Sequence, residues 1–367
     1  MASYIIRRLL QAIPVLFGIT IVVYAILLAA PGGPTAKFAQ NPRLSLADRE
    51  AFKKAWGLDQ PVPIQYCRWM GFCNPEYDGY GLGMFISQSG VPNFFPQAIG
   101  GGTNGIIHGD LGVSIDSGED VATKIQRALL PTLILAGTAL VIWLTLAVLI
   151  GVLAAIKRYS LFDQVTTVFS YIGYAMPTFW LGLMLIFAFA GPGLDWLPAQ
   201  GMVNTRKSPA FGSDAYWDYF IQHPKTALTD LGRHLILPVI TLVVVNVAGD
   251  SRFVRASMLE TLGQDYVRTA RAKGLANRVV TFRHAFRNAM LPFITNVGLE
   301  IPFLVTGAIV TETIFSWPGI GRLTISATNT FDYPTLMGLL LVAALATVIA
   351  NLVADVAYAV VDPRIKY

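Results

Sequence analysis

The sequence predicts an all-α polytopic membrane protein with six transmembrane helices, both termini inside, and a long extracytoplasmic loop after the first helix. Three observations carry that prediction. Of 367 residues, 54% are hydrophobic and only 13% charged, about half the charged share of an average soluble domain. Mean hydropathy is +0.54. Six stretches approach the ~20 apolar residues that a helix needs to cross a bilayer. The same composition excludes a disordered chain and a disulfide-rich secreted scaffold, and it argues against a soluble enzyme.

The expected spans are Leu9–Ala30, Pro131–Ile156, Gln164–Ala190, Leu235–Ala248, Leu291–Val310 and Leu336–Val361. The first follows Arg7 and Arg8. Its apolar core is longer than the ~7–15 residues of a cleaved signal peptide and runs straight into Pro31-Gly32-Gly33, so it reads as an uncleaved first helix. The arginine pair also fits a twin-arginine export signal, but paired arginines precede many first helices. The fourth span is short as drawn and borrows residues from both flanks.

Orientation follows lysine and arginine. With the N-terminus inside, the inner segments are the first eight residues, the Lys157-Arg158 turn, the stretch 250–290 and the tail 362–367. They hold about 14 of the 27 basic residues in a minority of the loop length. That asymmetry accounts for the net charge of +5 without nucleic acid as a partner. The chain thus divides into an N-terminal helix (1–30), an extracytoplasmic region (31–130), a five-helix core (131–361) carrying the inner loop 250–290, and the inner tail.

Two outer connections are long. In the first, Ser45-Leu46-Ala47-Asp48 offers an N-cap for a helix reaching Trp56, and 71–107 reads as ordered loop rich in Gly, Asn, Pro and aromatic residues. Cys67 and Cys73 both fall here, in the oxidising compartment, where a short disulfide loop and two buried thiols are equal readings. No metal site is expected, because His108 is too remote to complete a ligand set. The second connection carries Tyr216, Trp217, Tyr219 and Phe220, which read as an amphipathic surface segment or a small packed lid.

Catalytic signatures are missing. The sequence contains neither a G-x-x-x-x-G-K-[ST] phosphate loop, nor an H-E-x-x-H helix, nor a G-x-S-x-G elbow. Gly249-Asp250 ends the fourth span as drawn, and a lone Asp there reads as an interfacial charge. Any work driven by nucleotide therefore needs another chain to bind the nucleotide, and no cofactor is expected in this one.

The inner loop is the most informative segment. It reads Asp265-Tyr266-Val267-Arg268-Thr269-Ala270-Arg271-Ala272-Lys273-Gly274, followed by a helical stretch from Val279 to Met290. Two short helices broken at Gly274 would present a compact basic surface. Ala270, Ala272 and Gly274 would admit close approach, with charge supplied by Arg268, Arg271 and Lys273. A positive-inside loop held by lipid headgroups is the competing reading.

This run resembles the cytosolic coupling motif of dipeptide/oligopeptide-type ABC-importer permeases, and the resemblance extends over nearly the whole chain. It includes Tyr4-Ile5-Ile6-Arg7-Arg8, Gly57-Leu58-Asp59-Gln60-Pro61, Gly109-Asp110-Leu111-Gly112, Pro177-Thr178-Phe179-Trp180, His284-Ala285-Phe286-Arg287-Asn288-Ala289 and Asp362-Pro363-Arg364. The most specific run is Glu312-Thr313-Ile314-Phe315-Ser316-Trp317-Pro318-Gly319-Ile320-Gly321-Arg322. Three features depart from the general pattern. Arg268-Thr269-Ala270 stands where the wider consensus has Glu-Ala-Ala, the spacing from Gly274 to Pro292 is long, and the outer segments 71–107 and 202–231 are extended.

The resemblance implies an ABC-importer permease fold in a prokaryotic plasma (inner) membrane. It implies a second homologous permease subunit, two ATP-binding subunits that carry ATP and Mg, and an extracytoplasmic solute-binding protein. Asp265, Tyr266, Arg268, Thr269, Ala270, Arg271, Ala272, Lys273 and Gly274 would seat on an ATPase. On the fifth span Asn296, Glu300, Phe303, Gly307 and Thr311 fall within about 80° of one another at 100° per residue. A carboxylate in a span is costly and faces the bundle interior or water, so Glu300 either lines the passage or pairs with a polar group. Tyr174, Pro177 and Thr178 read as a packing kink by default, or as a hinge or lining. Asn351, Asp355 and Tyr358 share a face of the sixth span, as a structural hydrogen-bond set. Glu312, Trp317, Pro318, Gly319 and Gly321 read as a tight outer turn or gate. A competing function is an ion-coupled secondary transporter using Glu300, and an intramembrane enzyme lacks any nucleophile–base pair.

Overall fold

A computed structural model describes residues 2–29, 60–72, 105–191, 194–300 and 308–361. The described elements are α1 (Ala2–Ala29), α2 (Val62–Met70), α3 (Val121–Ile156), α4 (Leu161–Ala175), α5 (Thr178–Phe189), α6 (Asp214–Gln222), α7 (Pro224–Leu262), α8 (Asp265–Ala272), α9 (Phe286–Glu300), α10 (Ile309–Ile314), α11 (Ile320–Asn329) and α12 (Tyr333–Val361). Among the described residues there is helix but no sheet, only an isolated bridge between Val113 and Asp120. Among the described residues three helices are by themselves long and apolar enough to cross a membrane: Val121–Ile156, Pro224–Leu262 and Tyr333–Val353.

Where the third crossing is expected, the helix is interrupted. The expected span 164–190 is two helices, α4 and α5, bent by 102°. The cause is local. Pro177 has no N–H to donate and disfavours helical backbone at the residue before it. Met176 is accordingly extended (φ −81°, ψ 122°), and so is Pro177 (φ −62°, ψ 129°). The bend is far larger than a packing kink.

The fourth expected span does borrow from its flanks, and by more than the sequence indicates. It is α7, 39 residues long. Asp250 is therefore not at a helix end but twelve residues before it, and the stretch 250–262, expected as inner loop, is helix.

Contacts divide the chain into two compact units, one centred on Leu130–Arg322 and one on Ile6–Leu129 with Leu323–Val348. In the first, α7 is the hub. Lipid tails are as apolar as leucine, so helices in a membrane associate by close packing and hydrogen bonds rather than by hydrophobic exclusion. The contacts of α7 follow that rule. A Cβ on Gly151 of α3 would lie 2.6 Å from the Ser251 carbonyl oxygen, and one on Gly173 of α4 would lie 3.2 Å from the Ala248 Cβ. Beside these approaches sit two apolar clusters. One includes Leu135, Ala139, Trp143, Leu242, Val243, Ala308 and Trp317; the other includes Val152, Ala155, Val254, Met258, Ala289 and Phe293. Tyr216 of α6 joins the first cluster, 1% exposed, while Trp217 and Ile221 of the same helix are exposed, so α6 is amphipathic with one face packed.

The second unit packs α1 against α2 and the start of α12 through Val23, Tyr24, Tyr333 and Met337, with Tyr66 and Trp69 alongside. Asp332, fully buried, accepts hydrogen bonds from the Ser114 hydroxyl (2.6 Å), the Ile115 N–H (3.0 Å), the Thr335 hydroxyl (2.6 Å) and the Lys124 ammonium (3.3 Å). These bonds tie the segment after Gly109 to the base of α12. Cys67 on α2 is disulfide-bonded. Cys73, the helix expected from Ser45 to Trp56 and residues 73–104 lie outside the described residues.

Candidate functional site

The segment expected to meet an ATPase is built from a short amphipathic helix. In α8, Val267 (0% exposed) and Ala270 (7%) pack against Val280, Ala285 and Leu262. The remaining positions of α8 and its C-cap are open: Asp265, Tyr266, Arg268, Thr269, Arg271, Ala272 and Lys273. Ala270, expected on the open surface, is thus on the packed face. Gly274 closes the helix with φ +77°, a left-handed conformation that a glycine adopts without strain. Arg268 makes an exposed ion pair with Asp265 at 3.5 Å, the kind of contact that contributes little to stability. The Tyr266 hydroxyl accepts a hydrogen bond from the Asn288 amide at 2.9 Å.

The chain re-enters helix at Asn277, and Val280–Ala285 is π-helical before α9 begins. Such insertions recur at functional sites. The sequence predicts helix here but carries no signal for this register.

A second group of residues meets where α3, α7 and α9 come together. Asp250 accepts from the Trp143 indole N–H at 3.1 Å and, at a long 3.4 Å, from the Asn296 amide. Glu300 faces the like charge of Asp250. The structure thus brings Asn296 and Glu300 together with Asp250, which sequence reasoning set aside as an interfacial charge. The helical wheel does not continue to Thr311. Ala308 is non-helical (φ −88°, ψ 75°), and Thr311 sits in α10, 1% exposed, with no hydrogen-bond partner for its hydroxyl among the described residues. Phe303 and Gly307 lie outside the described residues.

Tyr174 is 65% exposed at the end of α4, and Pro177 and Thr178 form the bend that follows. The guanidinium of Arg252 on α7 stacks on both Tyr171 (4.9 Å) and Tyr174 (4.7 Å). On α12, Asn351 is exposed; the side chains of Asp355 and Tyr358 lie outside the description.

The turn after α10 is organised by a buried carboxylate. Glu312, 0% exposed, accepts from the Thr132 hydroxyl (2.9 Å), from the Arg322 N–H (3.1 Å) and from the Gly321 N–H. Burial pushes its carboxyl above the usual carboxylate range, while these donors pull it down. The Thr132 hydroxyl in turn accepts the Ile320 N–H at 2.8 Å. The Trp317 indole donates to the Pro131 carbonyl at 2.8 Å. A Cβ on Gly319 would lie 2.4 Å from the Thr132 hydroxyl oxygen and 2.5 Å from a Glu312 carboxylate oxygen, so only glycine fits there. The run from Glu312 to Arg322 is therefore one hydrogen-bonded knot, and Pro318 lies within it.

Among the described residues no group of His, Cys, Asp and Glu could hold a metal ion. Comparison with known proteins then decides the family. Residues 147–367 match the family described as binding-protein-dependent transport system inner membrane component, and residues 1–81 match its N-terminal companion. The chain belongs to this family.

Relatives agree along the full length. The oligopeptide transport system permease protein AppB of Bacillus subtilis is 38% identical, over 100% of both chains. The dipeptide transport system permease protein DppB of Escherichia coli and the di/tripeptide transport system permease protein DppB of Pseudomonas aeruginosa are each 36% identical, over 100% of this chain and 99% of theirs. The chain is thus an inner-membrane permease subunit of the ABC-importer class, of the peptide-transport kind that the sequence resemblance indicates. Nothing in these matches supports an ion-coupled transporter. Members of such systems work with ATPase and substrate-binding partners in general.

Proposed function

We propose that this chain forms half of the path by which an ATP-driven importer moves short peptides inward. It would cross the membrane six times with both ends inside, and it would pair with a second homologous permease above two ATP-binding subunits that carry the ATP and Mg. An extracytoplasmic solute-binding protein would deliver the peptide at the outer face. The chain itself performs no catalysis.

The observation that carries this reading is the form of α8. A helix of eight residues, anchored by Val267 and Ala270 and ended at Gly274, leaves a compact basic face on a rigid base. That is what a load-bearing contact with a moving ATPase requires, because a flexible loop would absorb the displacement instead of passing it on. In this reading Tyr266, Arg268, Thr269, Arg271, Ala272 and Lys273 meet the ATPase. Asn296, Glu300 and Asp250 line the passage, with Tyr174, Pro177 and Thr178 at its bend. The Glu312–Gly321 knot braces the outer end, and Cys67 pairs with Cys73.

The test is co-purification from the native host in mild detergent, with bound proteins identified by mass spectrometry. The wild-type chain is expected to bring down an ATPase and a second permease. Ala272→Trp, on the open face, should lose the ATPase while still inserting. Recovery of the chain alone under several gentle conditions contradicts the reading.

A further inference from the structure

The expected coupling motif accounts for how an ATPase grips this chain but not for how the grip reaches the broken helix α4–α5. We infer that Asp163 and Arg255 are a positioning pair that makes α4 move as one body with α7 when the coupling segment is displaced. This inference rests on the proposed importer function.

The path of force can be followed residue by residue. Only Gly263 and Gln264 separate α7 from α8. A displacement of α8 therefore acts directly on the end of α7. No such covalent shortcut leads to α4, which is reached along the chain only through α7, the whole outer segment before it and α5. The link must be lateral. At the start of α4, the Arg255 guanidinium of α7 grips Asp163 with two hydrogen bonds, Nε to Oδ1 at 2.6 Å and an Nη to Oδ2 at 2.8 Å. Asp163 is 4% exposed. The bidentate fork fixes direction as well as distance, which a single ammonium contact would not.

Asp163 is itself held. Its Oδ2 accepts the N–H of Tyr159, a residue at φ +64° in the turn between α3 and α4, and its own N–H donates to the Ser160 N-cap hydroxyl. Arg255 therefore grips the α3–α4 turn and the first turn of α4 together. Farther along, the buried Ser170 and Ser251 hydroxyls meet at 3.3 Å, and Arg252 stacks on Tyr171 and Tyr174. These contacts keep α4 against α7 up to the 102° bend. The outcome is a lever: α8 pushes α7, Asp163–Arg255 fixes α4 to it, and the bend at Pro177 is where motion relative to α5 is released.

The experiment uses the whole complex in proteoliposomes, with radiolabelled trialanine as the transport probe. The variant is the neutral double Asp163→Asn with Arg255→Gln, which leaves no unpaired buried charge and so avoids the misfolding expected of either single change. Spin labels on the exposed positions Phe169 and Glu260 report the spacing of α4 and α7 by pulsed electron resonance, without nucleotide and with ATP trapped. In the wild-type complex the spacing is expected to stay the same in both states. In the double variant it should shift and broaden on ATP trapping, ATPase should still co-purify, and trialanine moved per ATP hydrolysed should fall by roughly 5- to 150-fold, the span of ordinary coupling free energies. Exchanging the charges (Asp163→Arg with Arg255→Asp) should recover part of that loss, which a role in folding alone does not predict. A wild-type transport ratio in the neutral double, or a wild-type spacing that already changes with ATP, overturns the lever. Failure of wild-type co-purification overturns the underlying importer reading instead and is seen before any variant is made.

Discussion

Two carboxylate regions in this chain, one fully buried and one half-buried, are built in opposite ways. Glu312 is enclosed by neutral donors: the Thr132 hydroxyl and the N–H groups of Gly321 and Arg322. Among the described residues Asp250 has far less, one indole N–H at 3.1 Å and one amide at 3.4 Å, and Glu300 faces its like charge. A buried charge with its lone pairs satisfied stiffens the structure around it. A charge in a span that is poorly satisfied costs free energy and persists only where it faces something else. In the proposed function the first region is architecture, and the second is the one available to a passing solute.

This contrast can be broken at its strongest point first. Gly319→Ala drives a methyl group into Thr132 and Glu312. Overpacking of this kind costs about 1–3 kcal/mol, and here it also parts a buried carboxylate from its donor, so the expected result is loss of folded, membrane-inserted protein in a detergent melting assay. Glu312→Gln keeps the shape but turns an amide group toward backbone N–H donors. It should cost about 1–3 kcal/mol, the penalty of leaving buried polar groups unpaired, read as a lower melting temperature.

Glu300→Gln should do the reverse. It removes repulsion from Asp250, so stability should hold or rise, while transport falls. Asp250→Asn should behave alike. The smallest stability effect belongs to Ala272→Trp, expected within about 0.5 kcal/mol as for other exposed positions, with ATPase binding lost.

The pH dependence of the knot follows from burial. Burial raises the Glu312 carboxyl above its unfolded value of about 4.5, so the folded state holds that proton more tightly. The resulting stabilisation is full below the unfolded value and is lost as pH rises through the folded one. Melting of the wild type against Glu312→Gln across this window should show a slope that the variant lacks.

Much of this was legible in the sequence, and the misses have physical causes. Apolar runs place the membrane-crossing parts of α3, α7 and α12 because lipid selects for them. They do not mark the helix ends. The turns Val121–Leu130 of α3 and Ser251–Leu262 of α7 carry Lys124, Arg127, Arg252 and Arg255, which a hydropathy window reads as loop. That error displaced Asp250 to a helix end and hid its meeting with Glu300. The packing of Val267 and Ala270 follows from helical spacing, but their partners Val280 and Ala285 lie on a π-helical stretch that no residue pattern announces. Pro177 marked a kink at most, while the 102° bend depends on both Met176 and Pro177 being extended. The knot residues Glu312, Trp317, Gly319 and Gly321 were named from the sequence; their dependence on Thr132, some 180 residues away, was not visible there.

The most direct test sets Glu312→Gln beside Glu300→Gln in the purified, reconstituted complex and measures melting temperature and peptide transport per ATP for both. The account predicts that Glu312→Gln melts lower while the surviving complex transports with normal coupling, and that Glu300→Gln keeps its melting temperature and loses transport. The account is contradicted if Glu300→Gln melts lower with normal transport, or if Glu312→Gln leaves stability untouched.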